Sequence, residues 1–174
     1  RGISGPWEIK SLITRAFNQA IVIPAYAELE FLPLTIESIN QNKPELLNQT
    51  LVVVVVNNAN NSPQSIKDNN QLTIQKINEN NYQFTLAVID AVSPGLELPL
   101  KHAGVGLARK IGMDLALPHL TSPQSLIFCT DADTQVSPYY ISKVKQIFKS
   151  QKTSAAVIGF SHLESSDIAN NDYI

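Results

Sequence analysis

The sequence predicts an α/β fold: a mostly parallel sheet of about five strands, flanked by helices in three α/β/α layers. Two observations carry this. Several short runs are apolar almost without interruption, the pattern of strands buried on both faces. Between them, apolar residues recur at helical spacing, so strand and helix alternate along the chain.

Ala20-Ile21-Val22-Ile23-Pro24 is the first run and stops at a proline. Leu51 to Val56 is the second and is almost entirely β-branched. Phe84 to Ile89 and Ser125 to Thr130 read the same way, and Ala155 to Phe160 is expected as a fifth strand. A helix is expected over Glu30 to Asn40, with Phe31, Leu34, Ile36 and Ile39 on its apolar face and Pro33 in its first turn. Ser62-Pro63 and Ser137-Pro138 each read as an N-cap followed by a first-turn proline. Ala103 to Leu117 is a further helix, ending before Pro118. The asparagine- and glutamine-rich stretch from Asn57 to Asn81 reads as a solvated loop and helix face. Residues 1–19 read as an accessory N-terminal segment and residues 20–174 as one domain.

The bulk numbers bound the function. At 174 residues and 44% hydrophobic, the chain can bury a sizeable core without staples. A net charge of −2 argues against a broad electrostatic grip on nucleic acid or anionic membrane. The single cysteine, Cys129, leaves no internal disulfide and favours a reducing, cytoplasmic setting. No apolar run approaches the ~20 residues of a membrane helix, and Arg1 to Lys10 lacks a signal-peptide core.

In a doubly wound sheet, ligands bind at the carboxyl ends of the strands. The informative residues are therefore Pro24 to Glu28, Asn57-Asn58, Asp90 with the loop to Arg109, and Asp131-Ala132-Asp133. All four clusters are expected on one edge. Asp131 and Asp133 stand one residue apart at a strand end. Two such carboxylates can converge on a hard divalent cation, which can then hold a substrate diphosphate. Asp-x-Asp alone arises often by chance, and a turn before Ser137 is the plainer alternative.

Four motifs in order make the context specific. Ile23-Pro24-Ala25-Tyr26-Ala27-Glu28 closes the first strand, and Asn57 to Ser62 follows the second. Gly104 to Gly112 carries Ala108 and Arg109, and Asp131, Asp133, Pro138 and Tyr139 follow the fourth strand. Together these resemble family 2 glycosyltransferases of the Rossmann-like GT-A fold, over about Ala20 to Phe160. The resemblance implies sugar transfer from a nucleoside-diphosphate sugar to an acceptor hydroxyl, with inversion and with Mn²⁺ or Mg²⁺ as cofactor. It places Pro24 in the nucleotide-sugar site, Tyr26 against the nucleobase, Glu28 near the nucleotide, and Asn58 at the base edge. It puts Arg109 in the nucleotide pocket, Asp131 at ribose and metal, and Asp133 on the metal.

The sequence departs from that pattern at Ala27, where an asparagine is usual, and at Asn57-Asn58, where two acids are usual. An amide can still pair with a base edge but brings no charge. The family's acceptor site and catalytic base follow the fifth strand, so no base is assigned, and a non-catalytic or partial nucleotide-binding module is the alternative. A haloacid-dehalogenase-type phosphatase would need Thr or Val at Gln135, and a dinucleotide-binding oxidoreductase would need glycine at Arg109. His102 reads as an exposed loop residue, His119 as a helix-end residue and Cys129 as a buried, inert thiol. Trp7 is expected to tether the N-terminal segment by packing, and Asp172 to be solvated.

Overall fold

A computed structural model describes residues 5–11, 13–151, 153–159 and 161. The strands are β1 (Gln19–Ala25), β2 (Thr50–Asn57), β3 (Thr85–Ala91) and β4 (Leu126–Cys129). The helices are α1 (Leu32–Asn40), α2 (Pro44–Leu47), α3 (Gln64–Asn78), α4 (Val105–Ala116) and α5 (Tyr140–Gln151). A 3-10 turn, Leu117–His119, follows α4 and holds Pro118.

The four strands form one sheet in the order β3-β2-β1-β4, and every pairing is parallel. The continuous apolar runs have the expected cause, because each strand carries apolar residues to both faces. Ile21, Ile23, Val52, Val54 and Val56 pack under α1, α2, α3 and α5, with Ile36, Ile77 and Ile141. Val22, Val53 and Val55 point the other way, onto Ala108 and Ile111 of α4. The result is the expected three-layer α/β/α arrangement. Gly112 lets α4 lie close on its face, since a Cβ there would run into Val22 Cγ1 and Val55 Cγ2. The N-terminal segment packs on the same side through Trp7, Ile9 and Ile13. The Trp7 indole donates to Leu96 O at 2.7 Å, so this residue tethers as expected.

Several local expectations change. No fifth strand forms over residues 155–159, and Phe160 lies outside the described residues, as does Asp172. Val157 is 99% exposed. The run does not pair with β4, whose outer edge has no partner among the described residues. An apolar run without ladder bonds has nothing to hold it extended. In α1 the buried stripe is Leu32, Thr35, Ile36, Ser38 and Ile39, whereas Phe31 and Leu34 are exposed. The helix begins one residue after Phe31, and Phe31 and Leu34 lie together on one flank of its buried stripe. Ser62 does not cap α3, where Pro63 holds the cap position without a side-chain bond. Ser137 does accept from Tyr139 N–H at 3.2 Å ahead of α5. The stretch after β2 is not solvated throughout, because Asn57, Asn58 and Asn70 are all buried. Cys129 is exposed rather than buried, as it ends the edge strand.

Candidate functional site

The chain reverses direction across the sheet between β1 and β4. Strands β2 and β3 lie on one side of β1, and β4 lies on the other. A crevice opens at such a switch point, beyond the carboxyl ends of the strands. There the structure has a cleft of about 740 Å³. Every strand contributes to it. Pro24, Tyr26 and Glu28 come from the end of β1 and the loop beyond it, Asn57, Ala59 and Asn61 to Pro63 from the end of β2 and its loop, Ala103 to Val105 after β3, and Asp131 to Asp133 after β4. A second hollow lies at the opposite end of β4 against α5, lined by Ser125, Lys145 and Lys149 among others. None of the sequence-derived site residues reach it.

The loop after β1 is tightly specified. Tyr26 is 47% exposed with its ring free to meet a ligand. Ala27 has φ +60, a left-handed backbone in which glycine and asparagine are at ease and alanine is not. Buried groups beneath hold it there. Asn70 Oδ1 accepts from Ala27 N–H at 2.8 Å, and Asn69 Oδ1 accepts from Leu29 N–H at 3.3 Å. Asn70 Nδ2 donates to Asn57 O at 3.0 Å and to Asn58 Oδ1 at 3.2 Å.

The loop after β4 is held from α1. Thr35 Oγ1, fully buried, donates to Ala132 O at 2.7 Å, between the two aspartates. Ser38 Oγ accepts from Val136 N–H at 2.9 Å, and Asn42 Oδ1 accepts from Ile141 N–H at 3.1 Å. Asp131 and Asp133 are thereby exposed to the cleft while their backbone is anchored in the core. Arg109 Nη2 donates to Asp131 Oδ1 at 2.5 Å.

Electrostatics join the two loops. Partial burial, then the nearby Asp133 and Asp131, push the Glu28 carboxyl above its ordinary value. Three carboxylates therefore share the cleft, and one feels the other two. Asp90, by contrast, is spent on its own turn. Burial works to raise it, but Ser93 Oγ at 2.6 Å and the Ser93 and Val92 N–H groups hold it below its ordinary value.

Pro24, Tyr26, Glu28, Asp131 and Asp133 thus meet in one cleft. Asn58 and Arg109 stand otherwise. Asn58 is 1% exposed, and its Nδ2 donates to Ala59 O at 3.0 Å. Its neighbour Asn57 lines the cleft instead. Asn57 Nδ2 donates to Ala25 O at 2.9 Å and Val55 O at 3.2 Å, so position 57 needs a donor and a carboxylate there would face two carbonyls. Arg109 does not line the cleft and reaches it through Asp131. It pairs there and not with Asp114, which takes Lys110. His102 is exposed, and the His119 carbonyl accepts from Phe17 N–H at the end of the 3-10 turn. Sequence reasoning gave no site role to Asn61, Ser62, Pro63 or Gly104, which line the cleft, nor to Asn70 beneath it. A polar residue among Thr73 and Ile77 at helical spacing was the available signal for Asn70.

Among the described residues no three His, Cys, Asp or Glu side chains stand close enough to make a metal site by themselves. Two carboxylates beside an open cleft still fit Mg²⁺ or Mn²⁺, which are commonly held by one or two carboxylates and complete their shell with substrate phosphate and water.

The fold and cleft define an α/β protein with an acidic cleft at its topological switch point. No family model matches the chain, and no curated protein resembles it in sequence. Among solved structures it is similar to S. aureus TarS 1-349, at 13% identity and a TM-score of 0.47. That match covers 75% of this chain and 32% of the other. It is also similar to the same fragment in complex with UDP-GlcNAc, at 13% identity and a TM-score of 0.48, covering 75% and 31%. The chain thus spans about a third of these structures. Likeness at this level assigns neither ligand nor activity. Among the described residues no helix is long and apolar enough to cross a membrane.

Proposed function

We propose that this chain is the nucleotide-sugar-binding part of a metal-dependent, inverting glycosyltransferase of the family 2, GT-A type. The observation that carries the reading is the meeting of Tyr26 and Glu28 with Asp131 and Asp133 at the switch point, four residues from two loops distant in sequence. Tyr26 offers an exposed ring for a nucleobase to stack on. The N-terminus of α4 reaches the cleft at Gly104 and Val105 with no side-chain cap, which leaves backbone N–H groups for a diphosphate. Asp133, with the free oxygen of Asp131, would hold Mn²⁺ or Mg²⁺, which when bound neutralises charge on a departing diphosphate. In the reaction an acceptor hydroxyl forms a bond to the anomeric carbon as the bond to the diphosphate oxygen breaks. The groups described here bind and orient the donor. The acceptor, and the base that takes its proton, are not assigned to any residue.

The test is a thermal-shift titration with UDP, GDP and dTDP, each with Mn²⁺, with Mg²⁺ and with chelator. Stabilisation of about 2.7 kcal/mol is expected at 100 times the dissociation constant, with metal present. An equal shift in chelator removes the metal from the account. No shift with any nucleotide removes the reading. Binding without turnover in the enzyme containing this chain would favour a non-catalytic module.

A further inference from the structure

Asn70 is a fully buried amide in the middle of α3, a helix whose remaining buried residues are Thr73 and Ile77. An apolar residue would bury more hydrocarbon at that position. What the amide does instead is make three hydrogen bonds, none of them within its own helix. It accepts from Ala27 N–H, and it donates to the Asn57 carbonyl and the Asn58 side chain. Ala27 stands between Tyr26 and Glu28, and its left-handed φ of +60 sets the directions in which those two side chains leave the chain. An alanine prefers the right-handed region by a factor of roughly ten or more in population, so this turn is not self-sustaining.

We propose that Asn70 is a positioning residue for the cleft, which holds Ala27 left-handed and so aims Tyr26 and Glu28 at the ligand. This inference rests on the nucleotide-binding reading of the cleft. Asn70 is not among the residues that line the cleft. It acts through the backbone of a loop 43 residues away in sequence, tied at one end to β2 through Asn57 and at the other to the turn. The amide is required on both sides. An aspartate would keep the acceptor for Ala27 N–H and set a carboxylate against the Asn57 carbonyl. A leucine would leave the Ala27 N–H and the Asn57 carbonyl short of a partner.

The experiment uses the whole chain and two readouts. Amide hydrogen exchange at Ala27 and Leu29, followed by NMR, reports the turn without any ligand. Titration with UDP, GDP and dTDP in Mn²⁺ reports the cleft. In Asn70→Ala, exchange at Ala27 is expected to speed up roughly tenfold or more, while amides of β2 and α4 keep their protection. Nucleotide affinity should fall by about the same factor. Adding Ala27→Gly should restore most of that affinity, because glycine enters the left-handed region freely. A purely structural role for Asn70 would not be rescued there. Ala27→Val, which leaves Asn70 intact but makes the turn far harder to adopt, should lose affinity equally, and it serves if Asn70→Ala does not fold. Unchanged exchange at Ala27 in Asn70→Ala would overturn the proposal, as would wild-type affinity in that variant or in Ala27→Val. If the parent chain binds no nucleotide, the proposed function falls, while the exchange arm still decides whether Asn70 holds the turn.

Discussion

Arg109 on α4 and Asp131 after β4 meet at 2.5 Å, and this bond ties the helix on one face of the sheet to the carboxylate pair in the cleft. The Nε of the same guanidinium is buried without a partner, so the side chain is committed to its place by one contact. Both partners remain partly exposed, 33% and 59%. A pair in that setting contributes at most about 1 kcal/mol to stability. Arg109→Ala should therefore move the melting temperature by no more than a few degrees. Its effect on Mn²⁺ affinity should be larger, roughly 10- to 100-fold, as is typical when the group orienting a metal ligand is removed. Lys110→Ala, which breaks the pair that residue makes with Asp114 four residues on, should change neither.

The metal assignment predicts a loss in turnover. Asp133→Asn keeps the shape and removes a ligand charge where the departing diphosphate gathers its own. In the enzyme containing this chain, turnover should drop about 100-fold or more, with a smaller change in nucleotide affinity. Asp114→Asn is the control and should do little. Steady-state kinetics with saturating donor reads the difference, and near-normal turnover for Asp133→Asn would remove that residue from the metal site.

Glu28 gives a pH prediction with a definite sign. Its folded value lies above the ordinary 4.5 because of burial and the two aspartates. The fold therefore prefers the protonated form. Stability without ligand should fall as pH rises through 4.5 toward the raised value, and stay at the lower level beyond it. Glu28→Gln should flatten that part of the pH profile and raise the melting temperature at neutral pH. Denaturant melts of both proteins between pH 4 and 8 test this. A wild-type profile that rises through this window for both proteins would contradict the electrostatic account.

Thr35→Val replaces a hydroxyl by a methyl of nearly the same shape and leaves Ala132 O buried without its donor. The cost should be about 1–3 kcal/mol, or 2–4 °C per kcal/mol for a chain of this size. Thr35→Ser keeps the donor and should lose less. Equal melting temperatures for wild type and Thr35→Val would show that the hydroxyl is not needed there.

Gly112→Ala tests the closeness of α4. Alanine gains roughly 1 kcal/mol in helix propensity, but its Cβ meets Val22 and Val55, and overpacking of that kind costs about 1–3 kcal/mol. A net loss is expected in urea melts, and a larger one for Gly112→Leu.

The sheet was legible because a strand covered on both faces must be apolar at every position, and Val52 to Val56 can be little else. The carboxylates and Tyr26 were legible because the residues just past a strand end are the ones a switch point uses. What could not be read was which polar residues are buried. Asn58 and Asn70 look like a solvated loop by composition, yet they form the amide network under the cleft. Only the packing of α3 across β2 distinguishes them from Asn60 and Asn61. Residues 155–159 form no strand for the related reason that a strand is defined by its partner, and apolar composition does not supply one.

The placement of β1 also sets an order of assembly. Its partners are β2, close behind it in sequence, and β4, near the far end of the described chain, with Gln19 facing Thr50 on one side and Leu126 on the other. During synthesis, β1, β2 and β3 can pair as soon as they emerge, because those contacts are comparatively local. The other edge of β1 must then stay bare until Leu126 to Cys129 arrive, and a bare, largely apolar edge strand invites the wrong partner. A ribosome stalled before β4 would thus hold a three-stranded sheet without Asp131 or Asp133, sticky along the very strand that borders the future cleft.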